Sequence, residues 1–372
     1  MDQVSQLMEE GVREGVFPGA VLLAAQGPDI IFHQAFGTTN QEGRIPVTTH
    51  TVYDLASLTK PLATASCMMV LIQEGRLCLS DTIGRLHPGF SSPDKRNLSL
   101  EQILSHTAGF PAYRPYYEEL SLLKPESRKG RLVELLNSEP LAYAPGQGCQ
   151  YSDLGYMALG LILEEVSGLP LDALTSRLVF DPLGINDLFF MPFGLNARNS
   201  SPVIPKSRIA PTESCPWRKT VLHGQVHDDN AWVLGGVAGH AGLFGTALGI
   251  WRLLDAVRRV FLGEAVDSPF SHSAAKIFLG KRRIPGTYVL GYDTPTPPES
   301  SSGAAFSPRT VGHLGFTGAS FWLDLEKQAL VILLTNRVHP TRNNGKIRIF
   351  RPKIHNAAMS AMGFSPLDNL FL

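Results

Sequence analysis

The sequence predicts an α/β chain of the α+β kind, with a mainly antiparallel sheet flanked by helices and a helical lobe inserted between the two parts that build the sheet. Three observations predict it. Apolar runs at 20–25 and 30–36 flank the turn signal Gly27-Pro28-Asp29, which reads as a hairpin. Near the other end, runs at 318–323 and 329–335 flank a polar turn at 324–328. Between these pairs, from about residue 80 to 220, helical periodicity alternates with Pro and Gly breaks.

Taken in order, residues 1–15 place Val4, Leu7, Met8 and Val12 at helical spacing. After the hairpin and a polar loop at 40–50, a helix is expected from Ser57 to about Glu74, with Pro61 in its first turn and Gly75 as its stop. The clearest later helices are 100–104, 130–137 and 153–166. Residues 190–220 carry prolines and little periodicity, so a long irregular connection is expected there. Thr287 to Tyr292 is a strand candidate, followed by a Pro- and Ser-rich loop at 294–308. The Val, Ile and Leu content of 329–335 suits a buried strand, and a last helix is expected over 351–361. Residues 1–60 with 225–372 would form the sheet domain and 61–224 the helical lobe. A cleft at their junction is the expected place for a site.

Composition narrows the function. In 372 residues, Lys plus Arg and Asp plus Glu number 33 each, so the formal charge is zero. That balance offers no basic footprint for nucleic acid and no polybasic run for a membrane surface. No apolar run approaches the ~20 residues of a membrane span. The start has neither the basic residues nor the continuous apolar stretch of a secretory signal, so a cytoplasmic protein is expected. Cys67, Cys78, Cys149 and Cys215 show no metal-ligand rhythm and read as reduced thiols.

The chemistry begins at Ser57-Leu58-Thr59-Lys60. A Ser and a Lys three apart share one helix face, and a serine needs a base to become a nucleophile. A lysine serves as that base when burial lowers its pKa. The pattern recurs at Ser92/Lys95, Ser121/Lys124 and Ser273/Lys276, so context must choose among them. Ser92 and Lys95 lie in a polar stretch where a solvated lysine is expected, whereas Ser57 opens an apolar helix. Tyr151-Ser152-Asp153 precedes the 153–166 helix. Tyr151 can be held there to move a proton, or can simply pack. Asp153 can cap the helix or contact a substrate. His313-Leu314-Gly315 is followed by Phe316-Thr317-Gly318, whose glycines let a backbone edge pass close to a ligand.

The ordered set of Ser57-x-x-Lys60, Tyr151-x-Asp153 and His313-x-Gly315 resembles the penicillin-binding-protein and β-lactamase superfamily. In detail it resembles class C β-lactamases with their esterase and D-aminopeptidase relatives. Leu104-Ser105-His106-Thr107-Ala108-Gly109, Pro145-Gly146 and Leu334-Thr335-Asn336-Arg337 support the likeness, which spans about residues 15–360. It implies a β-lactamase/transpeptidase-like fold and an acyl-enzyme on Ser57. Lys60 would be the proton partner, Tyr151 the second acid/base and His313 a member of the proton network. The backbone N–H groups of Ser57 and Phe316 would form an oxyanion hole, with Asp153 and Gly315 on the substrate side. No metal and no organic cofactor is implied. Asp153 stands where the family has Asn, His313 where β-lactamases favour Lys, and Leu314 where they have Thr or Ser.

These departures lead to an expected esterase or amidase acting on a small neutral or amine-bearing substrate. A true β-lactamase or a D-alanyl or D-amino peptidase is the alternative, and a non-catalytic sensor on the same fold is the alternative from another class. Oligomeric state is left open. A metal site at His223, His227 and His240 lacks the HExxH glutamate, and an α/β-hydrolase would need a G-x-S-x-G elbow that is missing. His106 is expected to be structural.

Overall fold

The computed structural model describes residues 1–40, 45–194, 204–280, 285–296 and 299–365. Its centre is a five-stranded antiparallel sheet assembled from both ends of the chain. In spatial order the strands are Asp29–Gly37, Gly19–Gln26, Ala329–Thr335, Ser320–Asp324 and Thr310–Leu314. The N-terminal strand pairs with the late one in continuous register, from Ala20 opposite Thr335 to Gln26 opposite Ala329.

These two central strands are apolar along almost their whole length because both faces are covered. Side chains alternate between two cores. Ala20, Leu22, Val331 and Leu333 meet Val4 and Met8 of the first helix, Asp2–Arg13, and Ile354 and Ala358 of the last, Ile347–Ala361. Val21, Leu23, Ile332 and Leu334 face Ile250, Leu254 and Val257 of the helix Ala247–Leu262 in the larger cluster. Each such Leu, Ile or Val contributes about 1.5–3 kcal/mol when fully buried. The larger cluster continues into the helical part through Leu154, Leu159 and Ile162, so the nucleophile segment is packed from both sides.

Several expectations are corrected. The segment after Ser57 is not a uniform α-helix. It runs as a 3-10 turn over Ala56–Leu58, a π segment over Lys60–Ala65 and an α-helix over Ser66–Gln73. Pro61 has no N–H to give, and the Ser66 hydroxyl donates to the Pro61 carbonyl at 2.9 Å within the wide turn. The helix expected at 130–137 spans Pro125–Ser138, and the last helix starts at Ile347. Thr287 to Tyr292 is not a strand. Gly286 and Gly291 have φ of 85° and 93°, and Val289 N–H closes a turn on Tyr292 O, leaving only Asp293 bridged to Gly312. Within the irregular 190–220 stretch, 195–203 lie outside the described residues.

Candidate active site

Ser57 is presented by a strained approach. Ala56 has φ of 48°, a left-handed conformation that costs a non-glycine residue energy. The buried Asp54 carboxylate holds the turn by accepting from Ala56 N at 2.8 Å and from His227 N at 2.6 Å. Thr317 adds a third tie, its hydroxyl donating to Asp54 O at 2.8 Å.

Lys60 is 0% exposed. Its Nζ has three partners: Ser57 Oγ at 3.1 Å, Asp153 Oδ1 at 2.7 Å and His240 O at 3.1 Å. An ammonium fills all three positions. A neutral amine gives its two N–H to the carboxylate and the carbonyl and aims its lone pair at the Ser57 hydroxyl. The same cage thus holds Lys60 in either state. Burial lowers the Lys60 pKa, and the Asp153 carboxylate opposes that shift.

Tyr151 lies against this pair. Its phenol lies beside the Ser57 side chain on the cavity wall, and Lys60 Nζ sits 4.7 Å from its ring centroid. Burial, then the Asp153 charge, holds the phenol well above its ordinary pKa, so it is a proton carrier and not a phenolate at neutral pH. Asp153 does not cap its helix. Ser152 is the N-cap, accepting from Gly155 N at 3.2 Å, which frees Asp153 for Lys60.

His313 is buried, and burial followed by the Lys60 charge pulls its pKa down to about 3. Its Nδ1 lies 2.9 Å from Leu314 O, and a carbonyl only accepts, so Nδ1 carries the proton. Nε2 is then a buried lone pair with no partner among the described residues. The position therefore holds an uncharged ring, where a lysine would offer a cation.

The 315–318 turn completes the wall. A Cβ on Gly315 would stand 2.8 Å from the Leu55 carbonyl oxygen, and Gly318 has φ of 103° with Thr335 Oγ1 against it. Arg337 donates to Phe316 O through Nε at 2.9 Å and Nη2 at 2.6 Å, and Arg351 donates to Gly315 O at 2.9 Å. Phe316 N has no acceptor among the described residues. Its side chain, 48% exposed, stacks on His227.

The structure thus brings Ser57, Tyr151, Asp153, His313, Gly315 and Phe316 to one cavity of about 860 Å³, with Lys60 beneath its floor. Sequence reasoning missed His240 as the carbonyl partner of Lys60, and Asp54 as the latch. It also missed the arginines behind the turn. One signal was available: Arg351 falls in the apolar stripe Ile347, Ile354, Ala358 of its helix. His106 is buried, with Nδ1 accepting from Ser152 N at 3.1 Å and its ring among Tyr151, Tyr156 and Tyr288. The histidines weighed for a metal lie in separate contacts: His227 with Glu213 at 3.2 Å, His240 with Asp228 at 2.8 Å, and His223 with backbone carbonyls. Lys95, expected in solvent, is 1% exposed; Asp94, beside it in sequence, takes its ammonium at 2.5 Å.

The β-lactamase family profile matches residues 4–352. A protein of Escherichia coli (strain K12) named "Putative D-alanyl-D-alanine carboxypeptidase" is 32% identical, with the match covering 91% of this chain and 82% of that one. Among solved structures, the octameric penicillin-binding protein homologue from Pyrococcus abyssi superposes with a TM-score of 0.71 at 21% identity, over 97% of this chain and 76% of that one. EstCE1, described as a hydrolase with promiscuous acyltransferase activity, gives 0.70 at 22% identity, over 94% and 98%. These two likenesses concern the fold.

Proposed function

The chain belongs to the β-lactamase family and is a serine hydrolase, and we propose that it cleaves small amides or peptides of D-amino-acid type through an acyl-enzyme on Ser57. One observation carries the reading: Lys60 Nζ is fixed 3.1 Å from Ser57 Oγ by two other acceptors, at the floor of a substrate-sized cavity.

In this reading Lys60 takes the Ser57 proton as Oγ attacks the carbonyl carbon. The tetrahedral oxyanion is met by the N–H groups of Ser57 and Phe316. Tyr151 gives its proton to the leaving nitrogen and recovers one from Lys60, so the acyl-enzyme forms with the proton count unchanged. Water then enters. The same groups take its proton and return one to Ser57 Oγ as the ester breaks.

The peptide assignment is supported by the name of the Escherichia coli relative. It is also supported by Arg348 on the cavity wall, an exposed guanidinium with no carboxylate partner among the described residues. A free substrate carboxylate fits there. A second reading, hydrolysis of neutral esters, is favoured by His313, whose uncharged ring supplies no cation beside Ser57.

The test is side-by-side hydrolysis of an N-acyl-D-alanyl-D-alanine peptide, a short-acyl p-nitrophenyl ester and a chromogenic cephalosporin by wild type and Ser57→Ala. Peptide turnover that vanishes in the variant is expected. Ester turnover alone selects the second reading. No turnover on any substrate, with no mass added to Ser57, removes both.

A further inference from the structure

We propose that Arg351 is a positioning residue that orients and polarises the Gly315–Phe316 peptide, setting the Phe316 N–H for the oxyanion formed on Ser57. The proposal rests on the reading of that N–H as an oxyanion donor.

A peptide unit is planar and trans, so the Gly315 carbonyl and the Phe316 N–H lie in one rigid plane and point in opposite directions. On the carbonyl side the plane is pinned twice, by Arg351 Nη2 at 2.9 Å and by Gly318 N at 3.1 Å. On the other side, the Phe316 N–H has no acceptor among the described residues. Gly315 packs against Leu55, two residues before Ser57, so the free N–H belongs to a turn seated on the nucleophile's own approach. Rotation of this peptide about its neighbours would carry the donor away from the serine. The contact from Arg351 resists that rotation.

Charge adds to geometry. A cation on a carbonyl oxygen draws electron density from the whole amide and makes its N–H a stronger donor. Such chains of hydrogen bonds strengthen by about 10–30% per bond. Arg351 is suited to this because no other group among the described residues neutralises it. It is 7% exposed, its other acceptor is Ala319 O at 3.0 Å, and no carboxylate pairs with it among the described residues. Burial, followed by the nearby Arg337 charge, lowers its pKa to about 9, which leaves it cationic at neutral pH. A buried unpaired cation is costly, and docking the helix does not require one, since Ile347, Ile354 and Ala358 already bury that stripe. Arg337 ties the next carbonyl, Phe316 O, so the two arginines fix successive peptides from behind.

The experiment compares wild type with Arg351→Gln, which keeps an N–H for Gly315 O without the charge, and Arg351→Lys, which keeps the charge on one donor. Three quantities are read: kcat and KM on the best substrate, and the affinity of a boronic acid. The boronic acid's tetrahedral adduct on serine places an oxygen where the oxyanion forms. Removing an oxyanion donor outright costs roughly 10²–10³-fold. A weakened donor is expected to lose about 10-fold to 10²-fold in kcat and a similar factor in boronate affinity, with KM within threefold and partial recovery in Arg351→Lys. A fall in Tm with kcat and boronate affinity both within twofold of wild type would overturn the proposal and leave Arg351 a structural tie. Should Arg351→Gln fail to fold, Arg351→Lys decides: a smaller fall in both kcat and boronate affinity with KM within threefold supports the proposal, and both within twofold of wild type overturns it. A wild type that neither turns over substrate nor binds the boronate would instead sink the assignment of Ser57 itself.

Discussion

Two copies of one motif sit in this chain with opposite outcomes. Ser57/Lys60 and Ser92/Lys95 have the same spacing, and both lysines are buried. Lys60 reaches its serine because Asp153 and His240, distant in sequence, close around the amine. Lys95 is taken by Asp94, its immediate neighbour, and Ser92 Oγ also donates to Asp94, at 2.8 Å. The spacing and the burial are shared. What differs is whether distant acceptors leave the serine as the remaining partner of the lysine.

The largest expected difference between the copies is in the serines. Ser57→Ala abolishes substrate turnover and acylation, read by hydrolysis and intact mass, while Ser92→Ala stays within twofold of wild type. The lysines come next. Lys60→Met is expected to lower kcat by about 10²–10⁴-fold, the span of general acid–base catalysis. Lys95→Met leaves kcat unchanged and alters only the denaturation midpoint. Equal losses of activity in the two variants would erase the distinction drawn here.

Asp153→Asn sharpens it further. The Asp153 carboxylate raises the Lys60 pKa against the lowering by burial. Removing the charge lets that pKa fall. A base must be deprotonated to act, so the acid limb of kcat/KM moves to lower pH. A limb that stays in place or moves upward would show that Lys60 does not set it. The smallest effect is expected from Ser152→Ala, which removes the cap that frees Asp153. It should cost about 1 kcal/mol of stability, read by chemical denaturation.

Much of the frame was legible because it rests on local pattern. The outer hairpin, the late strand pair and the helix after Tyr151 follow from turn residues and apolar runs. Ser57, Lys60 and Tyr151 stood out because several motifs recur in order. What escaped is what tertiary contact decides. The π segment after Lys60 depends on Ser66 folding back to Pro61, and the irregular path through Tyr288 depends on two left-handed glycines. The Asp153 side chain could cap or contact by sequence alone, and only its neighbour's better cap geometry sends it to Lys60. Lys95 misled because its stretch is polar while its own side chain is enclosed beside Phe110.

The sheet has a consequence for how the protein is made. Ala20 must wait for Thr335 before the first hairpin gains its inner neighbour. At ~5–20 residues per second, synthesis of the intervening chain takes about 15–60 s. Throughout that interval the apolar strand Gly19–Gln26 presents an unpaired edge, the kind of surface on which nascent chains aggregate. Pairing over such a separation is also slow to form. Expression yield should therefore depend on whatever shields that edge until the last strands emerge.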